Sequence, residues 1–102
     1  MLRIYEVLLV LVREVRPLLE RLAAQDANLG DQCRRALSSA PLNLAEGSYS
    51  QGRIRVSRYC TAVGSLREVL ACLELGEALE PIEPGMRDRF DHVIGTLVKI
   101  VK

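Results

Sequence analysis

Arginine supplies the chain's most suggestive chemistry. Arg53, Arg55 and Arg58 cluster where a loop-like composition gives way to a helical one, with Tyr49, Ser50 and Gln51 just before them. A guanidinium is a planar fork of donors that matches phosphate. A helix start adds backbone N–H groups, and tyrosines such as Tyr49 and Tyr59 can stack on bases. From residue 52 to 70, these three and Arg67 stand against Glu68 alone. The whole chain carries 14 basic and 13 acidic side chains, a net charge of +1, so the total makes no case for nucleic acid and only the local cluster does. The competing reading of such a run is a solvated helix face. Arg34 and Arg35 would support the patch if exposed.

A second set of polar residues lies among apolar positions. Asn43 and Glu46 are three apart, as are Ser65 and Glu68, so each pair shares a helix face. A buried carboxylate requires a hydrogen-bonding or ionic partner, because its desolvation otherwise costs several kcal/mol. The expectation is a structural polar network joining two helices and fixing their register, with Arg34 or Arg35 as counter-ion.

Catalysis has little support. His92 is the single histidine, with Asp88 one turn before it and Asp91 adjacent. There is no Glu-x-x-His pair of the kind that holds iron in helical bundles, and neither a P-loop nor a G-x-S-x-G motif. Ser65 has no evident base. The expectation is a protein with no enzymatic activity, metal or cofactor. Cys33, Cys60 and Cys72 are odd in number and lack C-x-x-C spacing, which argues against a disulfide framework or zinc and fits a reducing cytoplasm. The apolar run Val7–Val12 is bounded by Glu6 and Arg13-Glu14, well short of the ~18 residues of a membrane span, and no convincing cleavage site follows. A soluble, unprocessed chain is expected.

The elements that must position these residues are helical. A chain of 102 residues with 49% hydrophobic content is expected to form one domain, 1–102. Aromatic residues are only 4%, so its core must be aliphatic. Helix one is expected over about 2–24: Ile4, Leu8, Leu11, Val15, Leu18 and Leu22 form one stripe, and Tyr5, Leu9, Val12 and Leu19 a second. Its first half is apolar nearly all round, more than one core face needs, so another subunit is the economical cover. Pro17 predicts a bend. Helix two, about 29–48, carries the mostly small stripe Leu29, Cys33, Ala36, Ala40, Asn43 and Gly47, widened by Leu37 and Leu44 and interrupted by Pro41 as a kink within one helix. Ser38 and Ser39 lie one turn before that proline and can donate to the carbonyls it loosens. Helix three, about 53–79, has a bulky seam (Val56, Tyr59, Val63, Leu66, Leu70, Leu73) and a smaller one (Ala62, Ser65, Val69, Cys72, Gly76, Leu79). Gly64 within it predicts a close backbone contact. A turn over Glu80–Pro84 leads to helix four, about 84–101, with Met86, Phe90, Val93, Leu97 and Ile100 on one face and Ile94, Val98 and Val101 flanking. The fold class is all-α, an antiparallel up-and-down four-helix bundle.

Several of these residues together resemble a known family. Arg34-Arg35-Ala36, Ser39, Leu42-Asn43-Leu44-Ala45-Glu46-Gly47, Arg58-Tyr59, and Gly64-Ser65 with Glu68 are similar to the four-helix-bundle 23S ribosomal RNA intervening-sequence proteins. Arg16-Pro17-Leu18 also resembles a variant within that family. Its relatives include the accessory variability determinants of diversity-generating retroelements, which form pentameric barrels that bind nucleic acid and a reverse transcriptase. The resemblance implies a bacterial homopentamer of up-and-down bundles without enzyme activity. It leaves two expectations: a scaffold that binds structured RNA through Arg53, Arg55 and Arg58 with Arg34 and Arg35, or one that presents a surface to a protein such as a reverse transcriptase.

Overall fold

Two short links dictate the topology. Asp26 alone separates the first two helices, and Tyr49–Gln51 separates the second from the third, so consecutive helices must fold back on one another. The computed structural model describes residues 3–76 and 83–101. Its helices are α1 (Arg3–Gln25), α2 (Ala27–Ser48), α3 (Gly52–Leu75) and α4 (Pro84–Val101). No strand occurs among the described residues. α2 packs most extensively on α3, α1 on α2 and α4, and α4 on α3, the arrangement of an antiparallel four-helix bundle. The body measures 42 × 25 × 19 Å.

The helix bounds differ slightly from the periodicity. α2 begins two residues earlier than expected, at Ala27, because Asp26 serves as its N-cap and accepts from the Leu29 N–H at 3.0 Å. α3 ends at Leu75 rather than at residue 79, and Gly76 closes it in a 3-10 turn whose N–H reaches the Cys72 carbonyl. Leu79 and most of the Glu80–Pro84 turn lie outside the described residues, as does Leu2. Both α1 and α2 continue as single helices through Pro17 and Pro41.

The core is aliphatic, with Tyr59 and Phe90 its aromatic members. α1 contributes Ile4, Leu8, Leu11, Val15, Leu19 and Leu22. Leu19 occupies the place expected for Leu18, which is only half-buried: a helix advances about 3.6 residues per turn, and both positions follow Val15 by about one turn. The second α1 stripe, Tyr5, Leu9 and Val12, stays half-buried and lines an apolar groove of about 590 Å³ against Leu37, Pro41 and Leu42 of α2. Two expected core residues are exposed, Val56 and Ile100. They lie near the start of α3 and the end of α4, at the bundle end that holds the α2–α3 link. The exposed Tyr49 and Ile54 lie at that same end.

The glycines reverse one expectation. A Cβ at Gly47 would fall within 2.6 Å of Tyr59 Cδ1, so the ring is seated directly on the α2 backbone. Gly64, expected at a close contact, is exposed, and a Cβ there would meet nothing within 4 Å. Gly52 opens α3 at φ +59°, a conformation that disfavours side chains. These environments predict opposite outcomes in urea unfolding. Gly47→Ala should lose about 1–3 kcal/mol through overpacking, whereas Gly64→Ala should gain up to ~1 kcal/mol of helix propensity. A loss at Gly64→Ala would contradict the open face seen in the single chain.

Candidate nucleic-acid interface

α2 sets out one polar face. Arg34, Arg35, Ser38, Ser39, Leu42, Asn43 and Glu46 follow at helical spacings, and Arg58 reaches across from α3. Together they line an open groove of about 600 Å³. Arg34, Arg35 and Arg58 are therefore brought together, while Arg53 and Arg55 are not part of this lining.

The arginines differ in how far they are already engaged. Arg55 turns back on the C-terminus of α2: its Nε donates to the carbonyls of Ser50 at 2.9 Å and Gly47 at 3.2 Å, and Nη2 to that of Ser48 at 3.4 Å. This adds a cationic donor to carbonyls at and just after the helix end and opposes the negative pole of the dipole. Arg55 is thus a clamp between α2 and α3, a role its clustering with Arg53 and Arg58 did not suggest. Arg34 pairs with Asp31 at 2.9 Å on the same helix, both exposed. Arg58 Nη1 contacts Glu46 Oε2 at 3.1 Å and donates to Asn43 Oδ1 at 3.2 Å. Arg35 and Arg53 are exposed and make no ion pair or side-chain hydrogen bond among the described residues. Tyr49 is exposed beside the loop, whereas Tyr59 is buried on Gly47 and is not available to stack on a base.

The polar residues expected to join helices two and three divide into separate arrangements. Ser65 of α3 donates to Ser39 Oγ at 2.8 Å, and Asn43 Nδ2 donates to Ser39 Oγ at 3.0 Å and to the Ser39 carbonyl at 2.9 Å. Glu46 is exposed and meets Arg58, not Arg34 or Arg35. Ser39 and Arg58 are the members that pairing by three-residue spacing misses. Position in the sequence ties Ser39 only to the carbonyls before Pro41, and Arg58 only to phosphate. Glu68 is also exposed and stands apart, close to a buried pair of thiols. The expectation of buried carboxylates is therefore corrected: both remain in contact with water, which avoids their desolvation cost.

That thiol pair is Cys33 of α2 and Cys72 of α3, both buried. Burial, reinforced by Cys72 and the Glu68 charge, pushes the Cys33 thiol up from 9.0 to about 12. Burial and then Glu68 push Cys72 in the same direction. Cys60 is exposed. His92, Asp88 and Asp91 are all exposed on α4. Among the described residues, no three His, Cys, Asp or Glu side chains are grouped as a metal site, and no helix is long and apolar enough to cross a membrane.

The fold and this motif set define a class of all-helical bundle proteins. The family of 23S rRNA-intervening sequence proteins matches over residues 1–102, so the chain belongs to that family. No curated protein matches it significantly. No solved structure does so either.

The thiols generate a prediction. Since the folded Cys33 value lies above its ordinary one, its contribution to stability is complete below about pH 9 and is lost as pH rises towards about 12. Urea midpoints should therefore fall above pH 9, and less so in Cys33→Ala relative to its own neutral-pH midpoint. At neutral pH a thiol reagent should modify Cys60 quickly and the other two only on unfolding. Rapid modification of Cys33 in the folded protein would contradict this burial.

Proposed function

We propose that the protein is a non-enzymatic, homo-oligomeric scaffold that binds structured RNA along the α2–α3 face. The observation that carries this reading is the groove in which Arg34, Arg35 and Arg58 converge with the hydroxyls of Ser38 and Ser39. These are donors suited to phosphate and ribose, and their spacing along a helix suits a backbone more than a small molecule. Arg53 and the exposed Tyr49 extend the surface beyond the groove, while Arg55 supports it through the α2 end. One such face is small. Repetition in a ring, a pentamer by the resemblance drawn above, would multiply the electrostatic contribution. The apolar groove between α1 and α2 supports self-association, since a lone chain leaves it facing water.

The test is anisotropy of a labelled RNA hairpin across a salt series. The combined variant Arg34→Ala, Arg35→Ala, Arg58→Ala should bind more weakly, and its dependence of log K on log salt should flatten by about one for each phosphate no longer neutralised. Unchanged affinity and slope would remove the groove from any role in RNA binding. Light scattering tests the assembly separately: the mass should be a multiple of 11.4 kDa. A clean monomer at micromolar concentration would overturn it.

A protein-presenting scaffold is the second reading, with a reverse transcriptase as one class of partner. The internal engagement of Arg34, Arg55 and Arg58 favours it, because those forks are not free in the isolated chain. It predicts an ordinary 260/280 absorbance ratio in the purified protein and no hairpin binding.

A further inference from the structure

The lining of the arginine groove has one internal inconsistency of charge. Three arginines face it, and Glu46 is the single acid among its lining residues. That carboxylate rests on Arg58, the cation contributed by the opposite helix. The pair is well exposed, with 47% of the Arg58 side chain and 59% of the Glu46 side chain accessible, so water and salt weaken it.

Arg58 has a second support. Its Nη1 also donates to Asn43 Oδ1. The Asn43 amide is oriented in turn by donation from Nδ2 to the Ser39 carbonyl and hydroxyl, and Ser65 donates to that same hydroxyl from α3. Loss of Glu46 would therefore leave Arg58 held by a neutral acceptor, the Asn43 amide oxygen, in the groove it lines with Arg34 and Arg35. Carboxylate and phosphate oxygens are alternative acceptors for the same guanidinium fork.

We propose that this groove takes one backbone phosphate of RNA, and that Glu46 occupies the phosphate's place on Arg58 in the free protein. This rests on the RNA-binding reading above and adds to it a competitor within the chain. The incoming phosphate displaces the Glu46 carboxylate, which turns to solvent. Asn43 holds the guanidinium during the exchange. Glu46 is accordingly a specificity element, since an anion must compete better than a carboxylate already in contact. The Ser39–Asn43–Ser65 chain is the positioning device for Arg58.

The experiment is a double-mutant cycle on hairpin RNA at fixed salt, using full-length wild type, E46Q, R58A and E46Q/R58A. Glu46→Gln keeps the side chain's shape, and circular dichroism melts check that each variant is folded. E46Q should bind about two- to fivefold more tightly than wild type, the scale of one exposed ion pair. In the R58A background the same substitution should change affinity much less, because the cost acts through Arg58. Binding by E46Q where wild type shows none would also support the proposal. If E46Q binds no more tightly than a wild type that does bind, the competitor is refuted and RNA binding stands. An equal gain in the R58A background would reduce Glu46 to a general field effect and overturn the proposal. No binding by wild type or E46Q would overturn both readings together.

Discussion

The structure depends on the contact between α2 and α3. Most of the core is aliphatic, and aliphatic helices can slide or rotate against one another at little cost. Three features of this seam oppose such movement. Tyr59 rests on the bare backbone of Gly47, so a shift along the axis would drive the ring against side chains. Ser65 donates to Ser39, which also accepts from Asn43, at the edge of the core. Arg55 closes the end by holding the Gly47 and Ser48 carbonyls of α2. The first is steric, the second a directional hydrogen-bond set and the third an electrostatic clamp. Each disfavours a different displacement, which is how a core with few aromatic residues can specify one register.

The same seam shapes the candidate interface. Because Ser39 and Asn43 are fixed by the packing, Arg58 is presented in a defined orientation instead of sampling freely. Arg34 and Arg35 extend from the exposed side of the same helix. The groove between them has polar walls, with Leu42 in its lining. Membership in the 23S rRNA-intervening sequence family gives this arrangement a context, and the chemistry of the groove supplies the functional hypothesis.

Much of the fold was legible because helical periodicity is a strong signal. The stripes of α1, α2 and α4 led directly to the core, from Leu8 and Leu11 to Phe90 and Leu97. The errors came where a residue's partner, not its spacing, decides its place. Val56 and Ile100 continue their stripes but fall near the ends of α3 and α4, and both are exposed. Gly64 is small without being crowded, whereas Gly47 is crowded by a residue twelve positions away that no local pattern pairs with it. The candidate site was less legible. A cluster of arginines in sequence separated into a clamp, an ion-paired side chain and one that makes no ion pair among the described residues, because successive helical positions point in different directions. Side-chain hydrogen bonds across helices leave no periodic trace.

The single-residue link at Asp26 has a kinetic consequence. With Gly30 lying against Ala23, the first two helices meet immediately at their junction, and the three-residue link after Ser48 brings the third back almost as directly. Closing such short loops restricts little chain freedom. Helices joined this way form contacts between residues close in sequence, the topology associated with rapid folding. α2 belongs to both hairpins, so it is the segment whose early formation would give each of its neighbours a surface on which to assemble.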